Sequence, residues 1–305
     1  MLTMFVNTNI DFMSKRRAFF VVSAILIVVG IASIVMHGGL KMGIDFAGGR
    51  LIEYRMSEQV PIEAMRDAVT EAGFSNAEIQ AVGNSNDILV RIPDVVEQAG
   101  GEESPSFRIL RQFQVVNPDV EGELLREESV GAKIGKEIRS QAFWAIVIAL
   151  GLILIYIGIR FEFRFGLGAI IALAHDVLLV LMLFSLFNKE ITMPVVAALL
   201  TIAGYSINDS IVVFDRIREQ LVRLRRESFF GVVNISINQT LSRTVVTSIT
   251  TLMTSVSLLV FGGEVIHDFA FAMTAGIIVG TYSSIFVASA MVLELRDRAK
   301  PQGKV

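Results

Sequence analysis

Two acidic residues stand where an acid is expensive. Asp209 lies inside an otherwise uncharged apolar run, 191–214, and His175–Asp176 lie at the middle of another, 165–187. An ionisable group inside a bilayer costs at least about 2.5–3.5 kcal/mol, so such groups are functional candidates by default. Asp209 sits five residues before the inner end of its run, roughly 7–8 Å into the hydrocarbon at helical rise. Thr201, Tyr205, Asn208 and Asp209 recur at i, i+4, i+7 and i+8, which predicts a polar stripe facing protein or a wet cavity rather than lipid. The lipid setting favours the neutral acid and a nearby cation favours the carboxylate. A carboxyl held between those influences suits proton uptake and release. The competing reading is a structural hydrogen bond between helices.

Arg243 opens the next apolar run at the inner boundary, where its side chain either reaches Asp209 or snorkels outward as an anchor. His175 and Asp176 point about 100° apart on a helix and need not share a partner; a neutral buried packing pair is the plain alternative. The run 244–263 holds hydroxyls at Thr244, Thr247, Ser248, Thr250, Thr251, Thr254, Ser255 and Ser257, which allow close helix packing or relay a hydrogen bond. Gly276 and Gly280 form a weak G-x-x-x-G contact motif.

These residues must be held by membrane helices. The 305-residue chain is 53% hydrophobic and 19% charged, below the roughly 25% charged of a soluble domain. The excess collects in six runs long enough to cross a bilayer: 18–36, 142–159, 165–187, 191–214, 244–263 and 269–293. The first follows Lys15, Arg16 and Arg17 but is longer than a signal-peptide core of about 7–15 residues and lacks an A-x-A site, so a retained span is expected. Segments 1–17, 160–164, 215–243 and 294–305 carry fifteen Lys/Arg, against one in 188–190 and 264–268. Both termini are therefore expected in the cytoplasm, and loop 37–141 outside. Segment 215–243, with its arginines between Leu221, Leu224, Phe229 and Phe230, reads as a positive-inside anchor or as an amphipathic stretch on the anionic inner leaflet.

Loop 37–141 is expected to fold. Residues 50–56 alternate, and Ile62, Met65, Val69 and Ala72 recur at helical spacing after Pro61. Strands are expected at 78–82 and 88–92 around turn residues 84–87, a helix from Ser104-Pro105 through Phe113, and a last strand at 120–125. The order β-α-β-β-α-β predicts a ferredoxin-like α+β domain, with 95–106 as a surface loop. The fold class expected is thus six transmembrane helices plus one extracytoplasmic ferredoxin-like domain.

Absent motifs narrow the chemistry. There is no cysteine, so no disulfide or thiolate site, and only three histidines. No P-loop, H-E-x-x-H or G-x-S-x-G occurs. A net charge of −3 gives no reason to expect nucleic acid. The readings left are a proton-driven export subunit, half of a small-molecule or lipid exporter, a passive scaffold, and an Asp176–Asp209 protease dyad. The last is weakened because the two acids lie at different depths.

Four segments carry a family resemblance: Gly43-Ile44-Asp45-Phe46-Ala47-Gly48-Gly49, Ala174-His175-Asp176-Val177, the run Gly204–Glu219 around Asn208-Asp209, and Asn238-Gln239-Thr240-Leu241-Ser242-Arg243-Thr244. With the six-span layout, essentially the whole chain resembles the SecD/SecF family of bacterial protein-export membrane proteins, of the resistance-nodulation-division superfamily. Ser210 and Ile211 depart from its pattern conservatively. The resemblance implies pairing with a SecD subunit into a two-half transporter. It also implies association with the SecYEG channel, SecA, YajC/YidC-type accessory proteins and membrane lipid, and use of the proton-motive force to draw a preprotein outward after the ATP-driven step. Protons would be the coupling ion, with no bound cofactor. It places Asp209 and Arg243 in the transmembrane proton pathway beside an aspartate from SecD; Asn208, Tyr205, Asp176 and His175 are the further candidates. Gly43, Asp45, Gly48 and Gly49 form a structural motif.

Overall fold

In a computed structural model, residues 8–82, 86–93 and 104–298 are described. The chain forms two compact units, residues 42–144 and residues 1–41 with 145–305. Most of the expected loop 95–106, much of the turn 84–87 and the end of the tail lie outside the described residues; Pro105 already begins a helix.

Unit 42–144 is a split β-α-β sandwich. After a single helical turn at Ile44–Ala47 come β1 (Gly49–Met56), α2 (Ile62–Glu71), β2 (Glu78–Ala81), β3 (Asp87–Ile92), α3 (Pro105–Val116) and β4 (Gly122–Val130). The sheet order is β2-β3-β1-β4, antiparallel throughout, with Tyr54 opposite Ile88 and Leu124 and a bulge at Glu53/Tyr54. Ile52, Tyr54 and Met56 bury one face of β1 against Met65 and Val69 of α2 and Ile109 and Phe113 of α3, as the alternation requires. Strand β4 runs five residues past its expected end. Its sequence there is Arg126-Glu127-Glu128-Ser129-Val130, with no apolar alternation to read. Cross-strand charge pairs hold it instead: Arg50 with Glu127, and Arg126 with Glu53 at 3.3 Å. The buried Tyr54 hydroxyl donates to Ser106 O at 2.7 Å. Burial, and the Glu127 charge after it, push this phenol well above its usual range.

The glycine pair is a geometric necessity. Gly48 has φ +80° and Gly49 φ +120°. A β-carbon on Gly49 would lie 2.6 Å from Ile92 O, and one on Gly48 3.2 Å from Ala132 Cα. Gly135 in turn sits against Gly48, where a β-carbon would be 3.3 Å from the Gly48 N, and Arg139 Nη2 donates to Phe46 O at 2.5 Å. Gly43 stands in extended backbone just before the short turn, and Asp45 in that turn.

The second unit contains the membrane helices. Six helices among the described residues are long and apolar enough to cross a membrane. They are α1 (Arg16–Met36), α4 (Ala132–Arg160, of which 145–160 belong to this unit), α5 (Phe163–Leu186), α6 (Met193–Arg223), α7 (Phe229–Phe261), and α8 (Glu264–Ser283) continued through a π turn (Ser284–Ala288) into α9 (Ser289–Arg298). Helix α1 seats on a seam of small residues. Ser23, Gly30 and Ser33 are its buried positions, a β-carbon at Gly30 would overlap Met182, and Ser33 Oγ meets Ser185 Oγ at 2.9 Å. Gly276 and Gly280 bring α8 onto Ile202 and Ser206 of α6, the close approach small residues permit.

Segment 215–243 is not a separate amphipathic stretch. Helix α6 continues to Arg223 and α7 begins at Phe229, so only a short connection separates them. Leu221, Leu224, Phe229 and Phe230 are half-buried and pack against the bundle core. Charge ended the hydropathy signal but not the helix: Glu219 pairs with Arg216 and, at 2.7 Å, with Arg223, and Ser228 caps α7 by accepting from Gly231 N at 3.0 Å. Asn234 and Asn238 of α7 bond the backbone of residues 10–13, Asn238 using both side-chain ends on Ile10 at 2.9 and 2.8 Å.

The glycine geometry generates a stability prediction. Gly49→Ala combines a strained φ with a collision against a backbone carbonyl, and is expected to destabilise the full chain by about 1–3 kcal/mol. Gly131→Ala meets nothing within 4 Å and is expected to stay near wild type. Thermal unfolding of both variants in detergent checks this, and equal midpoints would refute it.

Candidate proton-coupling site

The interior of the bundle holds two carboxylates in separate hydroxyl cages. Asp209 on α6 is 7% exposed and Asp176 on α5 is fully buried. Asp209 Oδ1 accepts from Thr244 Oγ1 of α7 at 2.8 Å, and Oδ2 from Ser284 Oγ at 2.7 Å. Asp176 Oδ2 accepts from Ser206 Oγ of α6 at 2.5 Å and Ser283 Oγ at 2.6 Å; His175 Nδ1 stands 2.9 Å from Oδ1. Four helices therefore meet at two acids, and the consecutive serines 283 and 284 serve one acid each.

The serines sit where α8 widens. Ser284 opens the π turn, and Ser289 Oγ returns to Ser284 O at 2.8 Å. Such single wide turns interrupt a helix's regular bonding and recur at functional sites. Each serine also has a second acceptor in reach: Thr281 O at 3.1 Å for Ser284, and Gly280 O at 3.2 Å for Ser283. A hydroxyl can donate to a carboxylate, or turn its proton onto a carbonyl and accept from a protonated acid. The cage around Asp209 thus has a partner for either protonation state.

The Asp176 side is directional. The Tyr282 hydroxyl donates to Phe19 O at 2.9 Å, so the Ser23 hydroxyl, 2.9 Å away, donates to Tyr282. The Ser23 oxygen is then left to accept from His175 Nε2 at 3.0 Å. This sequence assigns a proton to Nε2 and leaves one proton between Nδ1 and Asp176, a pair with no net charge wherever that proton sits.

The stripe expected on α6 divides. Asp209 turns inward and half-buried Tyr205 donates to Ser248 Oγ at 3.1 Å, a hydroxyl that also accepts from Thr281 at 2.8 Å. Thr201 and Asn208 are exposed, as is Gly204 between them. Within this chain the stripe therefore splits between an inward and an outward face, since Asn208 and Asp209 are consecutive and point about 100° apart. Arg243 is exposed and forms no ion pair with Asp209 among the described residues; its neighbour Thr244 takes the carboxylate instead. Nor does the α7 hydroxyl row form a continuous relay. Exposed Thr247, Thr250, Thr254 and Ser257 and half-buried Thr251 bond carbonyls of their own helix at 2.8–3.2 Å, a local satisfaction open to any buried or lipid-facing hydroxyl. Ser23, Ser206, Ser283 and Ser284 were not singled out from the sequence. Their signal was a polar residue in an apolar run, and it is weak for this same reason.

Family comparison covers nearly the whole chain. A model described as "Protein export membrane protein SecD/SecF, C-terminal" matches residues 111–298, and one described as "SecD/SecF GG Motif" matches 34–60. A protein translocase subunit SecF of Thermodesulfovibrio yellowstonii is 44% identical over 293 residues, 95% of each chain. A protein translocase subunit SecDF of Thermus thermophilus is 41% identical over 97% of this chain but 40% of its own length. A crystal structure of SecDF, described as a translocon-associated membrane protein from Thermus thermophilus, superposes with TM-score 0.85 at 40% identity, covering 96% of this chain and 39% of that one. The chain thus spans about two fifths of the fused proteins and nearly all of the separate one.

Two predictions come from the cages. Ser284→Ala leaves a buried carboxylate oxygen without a donor and is expected to cost about 1–3 kcal/mol, whereas Ser257→Ala stays within about 0.5 kcal/mol. Combined with Asp209→Asn, the Ser284 loss is expected to be non-additive; additive unfolding free energies in detergent would refute the contact. Nitrogen-15 NMR of histidine-labelled chain, with three histidines in all, is expected to show a buried ring protonated at Nε2. Tyr282→Phe removes the group that directs Ser23 and is expected to perturb that ring's shifts; unaltered shifts would refute the assigned direction.

Proposed function

The chain belongs to the SecD/SecF family of protein-export membrane proteins, and from that premise we propose that it is a SecF-type subunit converting proton entry into outward movement of a preprotein. It is a multi-pass membrane protein and a transport component rather than a catalyst. In this reading it lies in the bacterial cytoplasmic membrane with residues 37–141 outside and both termini inside, as the Lys/Arg distribution supports. A SecD chain supplies the other half. The single-chain SecDF relative supports that pairing, and so do the exposed polar positions Thr201, Asn208, Thr250 and Thr254 on α6 and α7, which favour a protein or wet surface over lipid tails. SecYEG, SecA and YajC/YidC-type proteins are the neighbours that membership suggests.

The observation that carries the coupling role is Asp209: a carboxylate buried within a membrane-crossing helix, held by two neutral hydroxyls, with a second acceptor ready for Ser284. A salt-bridged carboxylate is held in its charged form by its partner. A hydroxyl-caged one can be protonated and released with only hydroxyl rotations. In this reading Asp209 takes a proton arriving from outside. Ser284 then turns toward Thr281 O, and the change is felt at the π turn, whose preceding residue, Ser283, holds Asp176. Exposed Arg243 acts beside the partner half, supplying positive charge at the inner end of the path.

Inverted membrane vesicles test this. Preprotein completion is followed after ATP removal, with a proton gradient imposed or collapsed and complex levels matched by blotting. The gradient is expected to accelerate completion for wild type and not for Asp209→Asn. Equal acceleration in both would overturn Asp209 as the coupling group and favour a scaffold role.

A further inference from the structure

A cavity of about 730 Å³ opens at the end of the bundle that carries the α6–α7 connection. It is lined by four arginines from four helices: Arg160 ending α4, Arg164 in the first turn of α5, Arg218 on α6 and Arg296 on α9. We propose that this cavity binds the phosphate headgroup of an anionic phospholipid of the inner leaflet; the inference rests on the cytoplasmic placement of this face but not on proton coupling.

Three observations support it. First, the charge balance is positive after internal pairing. Of the lining carboxylates, Asp215 is taken by Arg160 through Nη2 at 2.8 and 2.9 Å and shared with Arg218 at 3.9 Å, and Glu219 is taken by Arg216 and Arg223. Among the described residues Arg164 and Arg296 have no carboxylate partner, and the unpaired acid facing them is Glu162. Second, the cations are pre-positioned. The Arg296 guanidinium lies over the Phe229 ring at 3.9 Å, and those of Arg160 and Arg218 lie over Phe161 at 5.0 and 5.7 Å. Guanidiniums held over rings lose less freedom when they grip a phosphate, and their fork geometry matches it. The N-terminus of the 24-residue helix α5 adds its positive dipole end.

Third, the rim is apolar. Phe165, Leu221, Val222, Phe229 and Val292 line it beside the arginines, and Val222 is 66% exposed. A free phosphate has no use for such neighbours. A phospholipid has: its headgroup enters among the arginines while its acyl chains leave past Leu221 and Val222. Basic pockets between transmembrane helices on the cytoplasmic side take anionic headgroups for this reason, and the volume falls within the range that encloses a small ligand.

The test reads lipid, not export. The full chain is reconstituted in phosphatidylcholine vesicles with and without phosphatidylglycerol, and retained lipid is read by native mass spectrometry. Wild type is expected to keep phosphatidylglycerol in preference to phosphatidylcholine. Arg164→Gln with Arg296→Gln is expected to lower that retention roughly tenfold or more, and Arg164→Gln alone, at an exposed site, about fivefold. Arg225→Gln with Arg226→Gln removes equal charge from the adjacent connection, outside the cavity, and is expected to leave retention unchanged. Equal losses in the two double variants would overturn the site in favour of diffuse surface attraction. Stabilisation by inorganic phosphate without retained phosphatidylglycerol would overturn the lipid assignment in favour of a soluble phosphate. Asp209→Asn is expected to retain lipid like wild type, so failure of the coupling reading and failure of this site are separately visible.

Discussion

A carboxylate inside a membrane bundle must be solvated by the protein, because nothing else is there to do it. Burying an unpaired charge costs far more than a folded domain's whole margin of stability. Here the solvation is done by hydroxyls: Thr244 and Ser284 for Asp209, Ser206 and Ser283 for Asp176. Short side chains of this kind reach only a few ångströms, so the helices that carry them must come close. Gly276 and Gly280 let α8 press on α6, and Ser23, Gly30 and Ser33 let α1 press on the bundle. The small-residue seams and the π turn are thus consequences of one requirement.

The choice of hydroxyls over a fixed cation has a functional side. A hydroxyl is both donor and acceptor, so its cage does not commit the acid to one state. The adjacency of Ser283 and Ser284 makes the two cages neighbours through a single peptide unit, at the one point where α8 abandons regular helical bonding. On the Asp176 side the proton direction is set by Tyr282 and Ser23, which gives that pair a fixed polarity rather than a free choice of tautomer.

The two ends of the chain's chemistry obey different physics. In unit 42–144, backbone sterics dominate: Gly48 and Gly49 occupy conformations and spaces closed to other residues, and Tyr54 closes the core with its hydroxyl satisfied by Ser106 O. At the α6–α7 connection, electrostatics dominate, with arginines stacked on Phe161 and Phe229 around a cavity.

The sequence by itself determined the element types and the depth of the acids. Period-2 alternation marked β1, helical spacing marked α2, and long uncharged runs marked the six membrane helices, because in each case one face or one whole segment must leave water. It also marked Asp209, His175 and Asp176, since an acid at membrane depth is conspicuous whatever surrounds it. Tertiary structure decided the rest. Strand β4 is extended by charge pairs with β1 that no local pattern reveals. Helices α6 and α7 outlast their apolar runs because leucines and phenylalanines there pack against the bundle core. The hydrogen-bond partners of Asp209 proved to be Thr244 and Ser284, with Arg243 left exposed nearby in sequence. A hydroxyl in an apolar helix can always bond its own backbone, so only the packing of four helices determines which serines turn inward and which acid each one holds.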